Sequence, residues 1–353
     1  MSSLKVGVIG TGGIVGAHMP GWEASPHAEV VAGADLSEAA LDKWAKRWGI
    51  SKTVTDSAEL INDPDIDIID ICTPNMYHTE LTVAALEAGK HVICEKPLAP
   101  LPEDIDKMIA ARDASGKMLM TAQHFRFSGK SKAMKAEIDA GALGEIYHAR
   151  SWMLRRILIP TRPGFLLKKH SGGGATIDIG VHILDLTLWF MGNPKPVSVT
   201  GIAKKVIAEN PKAFGTWNNF ETVPPEMDVE ELAVAFVRFD NDATLVLEVS
   251  WMLHHDTQGE DMQMWLYGKD GGAHWPKVEV LQTNYDTKQL YNRTLKLTDN
   301  IAEPHAQECI EFAQAIVDGA PSPVPAEQSR QVQQILNAIY ESQKTGREVR
   351  LDQ

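Results

Sequence analysis

Cysteine is scarce in this chain of 353 residues: there are three, Cys72, Cys94 and Cys309, and no CxxC or CxxH spacing joins them. An odd number of widely spaced cysteines excludes a disulfide framework and implies reduced, buried thiols in a reducing compartment. Basic residues are in deficit, since 34 lysines and arginines against 47 acids leave a net charge of −13. That field repels phosphate backbones and anionic lipid surfaces, so no nucleic-acid or membrane partner is expected. Long apolar runs are missing as well. The best, Val181 to Met191, is interrupted by His182 and Asp185 and falls short of the roughly 18–20 residues of a membrane span. The opening Met-Ser-Ser-Leu-Lys-Val runs straight into a strand-like segment without signal-peptide organisation. The expected location is therefore cytoplasmic.

What is present is ordinary globular material, 44% hydrophobic and 23% charged. The length suits two domains of roughly 150 residues each. Through residue 122 the pattern alternates. Strand-like Leu4–Ile9, Glu29–Ala34, Ile66–Ile71, His91–Cys94 and Met118–Ala122 are separated by helical segments at Ile14–Glu23, Ser37–Trp48, Tyr77–Glu87 and Pro102–Ser115. Such alternation predicts βαβ units and a doubly wound parallel sheet, with ligands at the carboxyl ends of the strands. Beyond residue 123 the texture changes to α+β with a mostly antiparallel sheet. Leu232–Phe239 and Ala243–Trp251 flank Asp240-Asn241-Asp242 as a hairpin, and helices are expected at Lys130–Ala140, Ala175–Met191, Ala306–Asp318 and Glu327–Lys344. The expected division is 1–122 and 123–353.

The first strand ends in Gly10-Thr11-Gly12-Gly13-Ile14-Val15-Gly16. Glycines there let backbone approach a pyrophosphate seated on the following helix N-terminus. Asp35 closes the second strand 25 residues after Gly10, where a carboxylate accepts from a ribose 2′-hydroxyl and repels a 2′-phosphate. NAD is thus expected over NADP, because Leu36 supplies no cation. Thr73-Pro74-Asn75-Met76-Tyr77-His78 follows the third strand; Asn75 and His78 suit a helix start, and the same loop suits the floor of a nicotinamide site. Glu95-Lys96-Pro97 follows the next strand. Its lysine is either half of a surface ion pair or a group whose pKa a nearby cationic ring would lower, fit to share a hydroxyl proton.

Asp178, His182 and Asp185 lie at i, i+4 and i+7 of a segment whose other positions are almost all apolar, which predicts one polar stripe on a buried helix. A metal site, an internally satisfied stripe and a carboxylate–histidine general base are the three readings; no further His or Cys cluster supplies metal ligands, and imidazole chemistry favours the last. Arg155, Arg156 and Arg162 share a Pro-rich loop suited to gripping an anionic group, to an oligomer contact, or to solvent.

Together the glycine loop, Asp35, Thr73-Pro-Asn-x-x-His78, Glu95-Lys-Pro97 and Asp178-x-Gly-x-His182 resemble the Gfo/Idh/MocA family, the relatives of glucose–fructose oxidoreductase and inositol dehydrogenase. Gln123-His124-Phe-Arg126-Phe127 and Gly268-Lys-Asp-Gly-Gly272 also match that family in order. The resemblance implies an N-terminal Rossmann domain and a C-terminal open sheet that forms homodimers or homotetramers. It implies NAD-dependent hydride transfer on a sugar, sugar derivative or cyclitol, with Lys96 at the reacting hydroxyl and Asp178 and His182 completing the catalytic group. The implied cofactor contacts are Gly10, Thr11, Gly12, Gly13, Ile14, Asp35, Thr73, Pro74, Asn75, His78, Glu95 and Lys96. His124, Arg126 and Arg156 join Lys96, Asp178 and His182 as substrate contacts. Redox-neutral glycosidases or epimerases and a sugar-sensing regulator are the alternatives within the same likeness.

Overall fold

The computed structural model describes residues 3–217, 220–297, 301 and 303–351. In chain order the opening segment forms β1 (Leu4–Ile9), α1 (Val15–Ala24), β2 (Ala28–Ala34), α2 (Glu38–Trp48), β3 (Lys52–Val54), α3 (Ser57–Ile61), β4 (Ile68–Ile71), α4 (His78–Glu87), β5 (His91–Glu95), α5 (Pro102–Ser115) and β6 (Leu119–Ala122). The next segment forms α6 (Gly129–Asp139), β7 (Ile146–Arg155), α7 (Pro163–Leu166), α8 (Lys168–Ser171), α9 (Ala175–Asp178), α10 (Gly180–Phe190), β8 (Pro196–Lys204), β9 (Leu232–Phe239), β10 (Thr244–Ser250), β11 (Glu260–Gly268), β12 (Gly272–Trp275), β13 (Glu279–Asn284) and β14 (Gln289–Thr294). The chain closes with α11 (Pro304–Asp318), α12 (Ala326–Thr345) and β15 (Val349–Arg350).

Two compact units result, residues 1–128 with 301–330, and residues 129–300 with 331–353. The first unit is a six-stranded parallel sheet in the order β3-β2-β1-β4-β5-β6. Its strands β1, β4, β5 and β6 are largely buried on both faces, and side-chain alternation sorts them. Val6, Val8, Ile68, Ile93 and Met120 pack with Val15, Met19 and Trp22 of α1 and Phe312 of α11. Ile9, Ile69, Ile71, Val92 and Leu119 pack with Leu86 of α4 and Ile105 and Met108 of α5. Period-two alternation buried on both sides is what helices above and below a parallel sheet require. Ser37 caps α2 through its hydroxyl, and Gly49 ends that helix in the left-handed region, the positions these residue types favour.

The division expected after residue 122 differs from this arrangement at both ends. The first unit runs on to Ser128, and α11 returns to it late in the chain. The reason is packing: a side chain on Gly21 of α1 would sit 2.3 Å from the Ala306 carbonyl, so the two helices cross in near backbone contact. Cys309 and Phe312 complete the core beside Trp22.

The second unit is a nine-stranded sheet, β14-β13-β12-β11-β7-β10-β9-β8-β15. Only β7 and β10 pair in parallel; the other neighbours are antiparallel. The hairpin around Asp240–Asp242 forms as expected, with Arg238 opposite Thr244. One face of the sheet, including Ala149, Ser151, Leu245, Leu247, Ala235 and Val237, is buried, and β7 and β10 carry α10.

The continuous helix expected over Ala175–Met191 is instead two. Ile179, at φ −109°, ends α9 and precedes α10. His182 donates its backbone N–H to Ile179 rather than to Asp178. His182 and Asp185 therefore share α10, while Asp178 ends α9 one residue ahead of it.

Candidate active site

In the first unit β1, β4, β5 and β6 lie side by side and parallel, so the loops after Ile9, Ile71, Glu95 and Ala122 share one sheet edge. Gly10 makes the tightest turn there. It has φ +96°, and a Cβ would lie 2.7 Å from the Cys72 carbonyl, so only glycine lets these loops meet. Gly12 and Gly13 are exposed, with no atom within 4 Å of a Cβ position on Gly12. Ile14 precedes α1 without a side-chain cap, and no acid occupies the first turn. The initial N–H groups and the positive end of the helix dipole are thus left for an anion. Val15, in place of a third fingerprint glycine, is buried in the core.

Asp35 braces this loop. One carboxylate oxygen accepts from the Thr11 N–H at 2.8 Å and its hydroxyl at 3.1 Å; the other accepts from Ser37 N–H at 2.9 Å. Each oxygen keeps lone-pair capacity for a ribose hydroxyl. Leu36 is 89% exposed and brings no positive charge. The Thr73 hydroxyl is buried with no partner among the described residues, as a ligand-facing donor at a strand end would be. A dinucleotide with free ribose hydroxyls fits these groups.

Pro74 is exposed and Asn75 begins a 3₁₀ turn, Asn75–Tyr77; the residue capping α4 is Tyr77, without a side-chain bond. Asn75 therefore does not take the N-cap position expected of it. His78 is fully buried, its ring nitrogens facing the carbonyls of Pro97 at 2.8 Å and Thr73 at 2.9 Å. Burial pushes its pKa down. It ties the Thr73 loop to the Lys96–Pro97 turn, whose peptide is cis.

Glu95 is no surface partner for Lys96. It is buried, accepts from the Lys96 backbone N–H at 2.9 Å, and accepts a hydrogen bond from His18 Nε2 at 3.0 Å. Nδ1 of His18 faces both oxygens of Asp70 at 3.1 Å, and the Trp22 indole donates to Asp70 at 2.8 Å. Burial opposes a charge on His18, yet the Asp70 carboxylate holds its pKa well above the usual range. Burial likewise opposes ionisation of Glu95, and the His18 hydrogen bond and charge win, holding it at about 2. Glu308 of α11 closes the cluster 3.6 Å from His18; burial raises its carboxyl pKa well above normal, and both oxygens lack partners among the described residues. Sequence reasoning missed His18, Asp70 and Glu308. The available signal was Asp70 within Ile68-Ile-Asp-Ile71, an acid inside an otherwise apolar strand.

His124 stacks on His305 of α11 with ring centroids 3.7 Å apart. Both rings are driven toward neutrality chiefly by burial, His305 to about 4. Arg126 is only 3% exposed and donates to Gln328 at 2.6 Å. That contact braces it inside its own unit.

In the second unit, Asp178 accepts from the Trp251 indole at 3.1 Å, and His182, 8% exposed, occupies the first turn of α10. Of the three glycines ahead of α9, Gly172 ends α8 at φ +82°, and the other two have a packing cause: a Cβ on Gly174 would lie 1.8 Å from the Glu230 carbonyl, and one on Gly173 would lie 2.1 Å from the Tyr340 hydroxyl. Of the arginine loop, Arg155 belongs to β7, is buried, and pairs with Glu260 at 2.6 Å beneath Trp217. Arg156 is exposed and lines a cleft of about 550 Å³ with Phe214, Thr216, His254 and Thr257. All three cysteines are free and buried, and no helix among the described residues is long and apolar enough to cross a membrane.

Comparison with known proteins agrees with this geometry. Residues 4–123 match the oxidoreductase family with an NAD-binding Rossmann fold, and residues 131–274 match the GFO/IDH/MocA C-terminal domain. D-glucoside 3-dehydrogenase of Escherichia coli (strain K12) is 30% identical over 354 residues, covering 99% of this chain and 98% of that protein. Levoglucosan dehydrogenase of Pseudarthrobacter phenanthrenivorans is 32% identical over 273 residues, covering 72% of this chain and 69% of that one. A solved levoglucosan dehydrogenase in complex with NADH and levoglucosan superposes with a TM-score of 0.85 at 26% identity, covering 100% of both chains. The chain belongs to the GFO/IDH/MocA family and is an NAD-dependent oxidoreductase with a Rossmann domain.

Proposed function

We propose that the protein oxidises a secondary hydroxyl of a glucose-derived pyranoside, or a related cyclic polyol, to the ketone. The carbon gives up a hydride and the hydroxyl a proton, so one ketone, one reduced cofactor and one proton are formed. NAD, when bound, supplies the hydride acceptor. The glycine loop and the start of α1 hold its pyrophosphate, Asp35 its ribose hydroxyl, and the Thr73–Asn75 loop with Thr73's free hydroxyl the nicotinamide end. Lys96 contacts the reacting hydroxyl, and His182 takes the proton, with Asp178 orienting the group.

The observation that carries this reading is the construction around Asp178 and His182. An apolar, buried helix places a histidine in its first turn, and a tryptophan indole is committed to the carboxylate just ahead of it. The end-to-end likeness to a D-glucoside 3-dehydrogenase and the likeness to levoglucosan dehydrogenases support a glucose derivative over a cyclitol. Arg156 and its cleft suit a polar group carried beyond the reacting carbon.

A second copy of the chain covers the outer face of the nine-stranded sheet, where Trp152, Trp265, Tyr267, Phe236 and Val246 are half-exposed. Apolar faces of this extent mark subunit contacts; light scattering showing a monomer at working concentration would remove that assignment. The free, buried thiols suit a cytoplasmic setting.

The deciding experiment is reduced-nicotinamide absorbance with NAD, and separately NADP, against glucosides, anhydrosugars and cyclitols. Turnover of a glucoside with NAD is expected. Bound NAD with no turnover of any sugar or polyol would refute the proposal, and a preference for NADP would refute the role of Asp35.

A further inference from the structure

Glu230 and Glu231 hold both ends of the turn that carries Asp178. One carboxylate oxygen of Glu230 accepts from Gly174 N–H at 3.0 Å and Thr176 N–H at 2.9 Å, while the other accepts from Gly174 at 3.1 Å. The Glu230 carbonyl accepts from Ala175 N–H at 3.0 Å. All three leading N–H groups of α9 are thus gathered by one residue, at a helix start with no side-chain cap of its own. Tyr340 of α12 buttresses the carboxylate, donating its hydroxyl at 2.9 Å. At the other end, the Glu231 carbonyl accepts the Trp251 backbone N–H at 2.8 Å, and the Trp251 indole donates to Asp178 at 3.1 Å.

A four-residue helix holds its own shape poorly, because only the Ile177 and Asp178 N–H groups find a partner within the turn, the Gly174 carbonyl. The Ala175–Asp178 turn therefore depends on its outside partners. The side chains proposed for proton transfer lie at its end and immediately after it. We propose that Glu230 is a positioning residue for the reaction, fixing through α9 the Asp178 carboxylate and the start of the His182 helix, with Trp251 and Tyr340 as its supports. This rests on the assignment of Asp178 and His182 above. Glu230 is only 7% exposed, and the clash positions at Gly173 and Gly174 show how closely the turn is set against it.

Glu230→Gln keeps the shape but lets the side chain accept through one oxygen only. In the full-length enzyme, kcat for the best sugar is expected to fall about 100-fold, the penalty for displacing a catalytic group by roughly 1 Å. KM for the sugar and the affinity for NADH should stay within about twofold, since neither contact is touched. Tyr340→Phe removes one of the donors and should lower kcat less than tenfold. Trp251→Phe frees Asp178 alone and should alter the pH profile of kcat. The imidazole proton resonance of His182, assigned by its loss in His182→Ala, should shift in Glu230→Gln.

Folded Glu230→Gln with wild-type kcat, pH profile and His182 resonance would overturn the proposal. Should Glu230→Gln not fold, Tyr340→Phe and Trp251→Phe both retaining wild-type behaviour would overturn it equally. If His182→Ala keeps full turnover, the assignment of His182 falls separately, and the His182 resonance still decides whether Glu230 sets this turn.

Discussion

Replacing Glu308 by glutamine tests the reading of the buried charge cluster in the Rossmann unit. Glu308 is fully buried, 3.6 Å from His18, with no hydrogen-bond partner for either oxygen among the described residues. Burial raises its pKa well above normal, so the folded protein holds a neutral carboxyl where the unfolded chain ionises. The stabilisation from that held proton is complete below the unfolded value of about 4.5 and is lost as the pH rises toward the folded one. Each pH unit in that window is worth about 1.4 kcal/mol. The glutamine variant has no proton to hold. Its stability relative to wild type should therefore increase as the pH rises above about 4.5, by up to about 1.4 kcal/mol per pH unit until the folded carboxyl ionises. Histidines driven neutral by burial, such as His91 and His305 at about 4, add an opposite slope, but equally in both proteins, and it cancels in the difference. Urea unfolding of the two proteins at four pH values, followed by tryptophan fluorescence, measures this. A difference that stays constant with pH would refute the reasoning. A variant less stable by about 3–5 kcal/mol at every pH would show instead an ionised Glu308 paired with His18.

Other outcomes follow from the same geometry. His18→Gln removes the cation that Asp70 and Glu95 share and should lower stability by about 3–5 kcal/mol in the same urea assay; unchanged stability would mean His18 carries no charge. Gly10→Ala forces a left-handed φ on a residue whose new Cβ meets the Cys72 carbonyl; a loss of more than about 1 kcal/mol, together with weaker NADH binding by fluorescence titration, is expected. Asp35→Ala removes two hydrogen bonds to Thr11 as well as the ribose acceptor and should raise KM for NAD about tenfold or more while admitting NADP; unchanged KM values would remove Asp35 from the cofactor site. Lys96→Ala and His182→Ala should each lower kcat by about 100-fold or more with NADH affinity retained, and a variant turning over at the wild-type rate would leave the mechanism.

Features set by a few neighbouring residues were readable in advance. The glycine turn after β1, the Asp240–Asp242 hairpin and the alternation of strands and helices all depend on local backbone preference and side-chain period. The likeness of ordered motifs added the expectation of a sugar or cyclitol substrate. The break at Ile179 was not readable, since isoleucine continues the apolar pattern, and neither was the anchoring of α9 at its start by Glu230, 56 positions from Gly174. Arg126 and Glu95 were placed at the right strand ends, but their side chains turn inward to Gln328 and His18. The sequence by itself determined which turns, caps and strands form, because those energies act over a few residues. Only the tertiary structure decided that α11 rejoins the first unit and which carboxylates share His18, because the partner of a buried charge is whichever group the topology brings within hydrogen-bond reach, and no local preference encodes that distance.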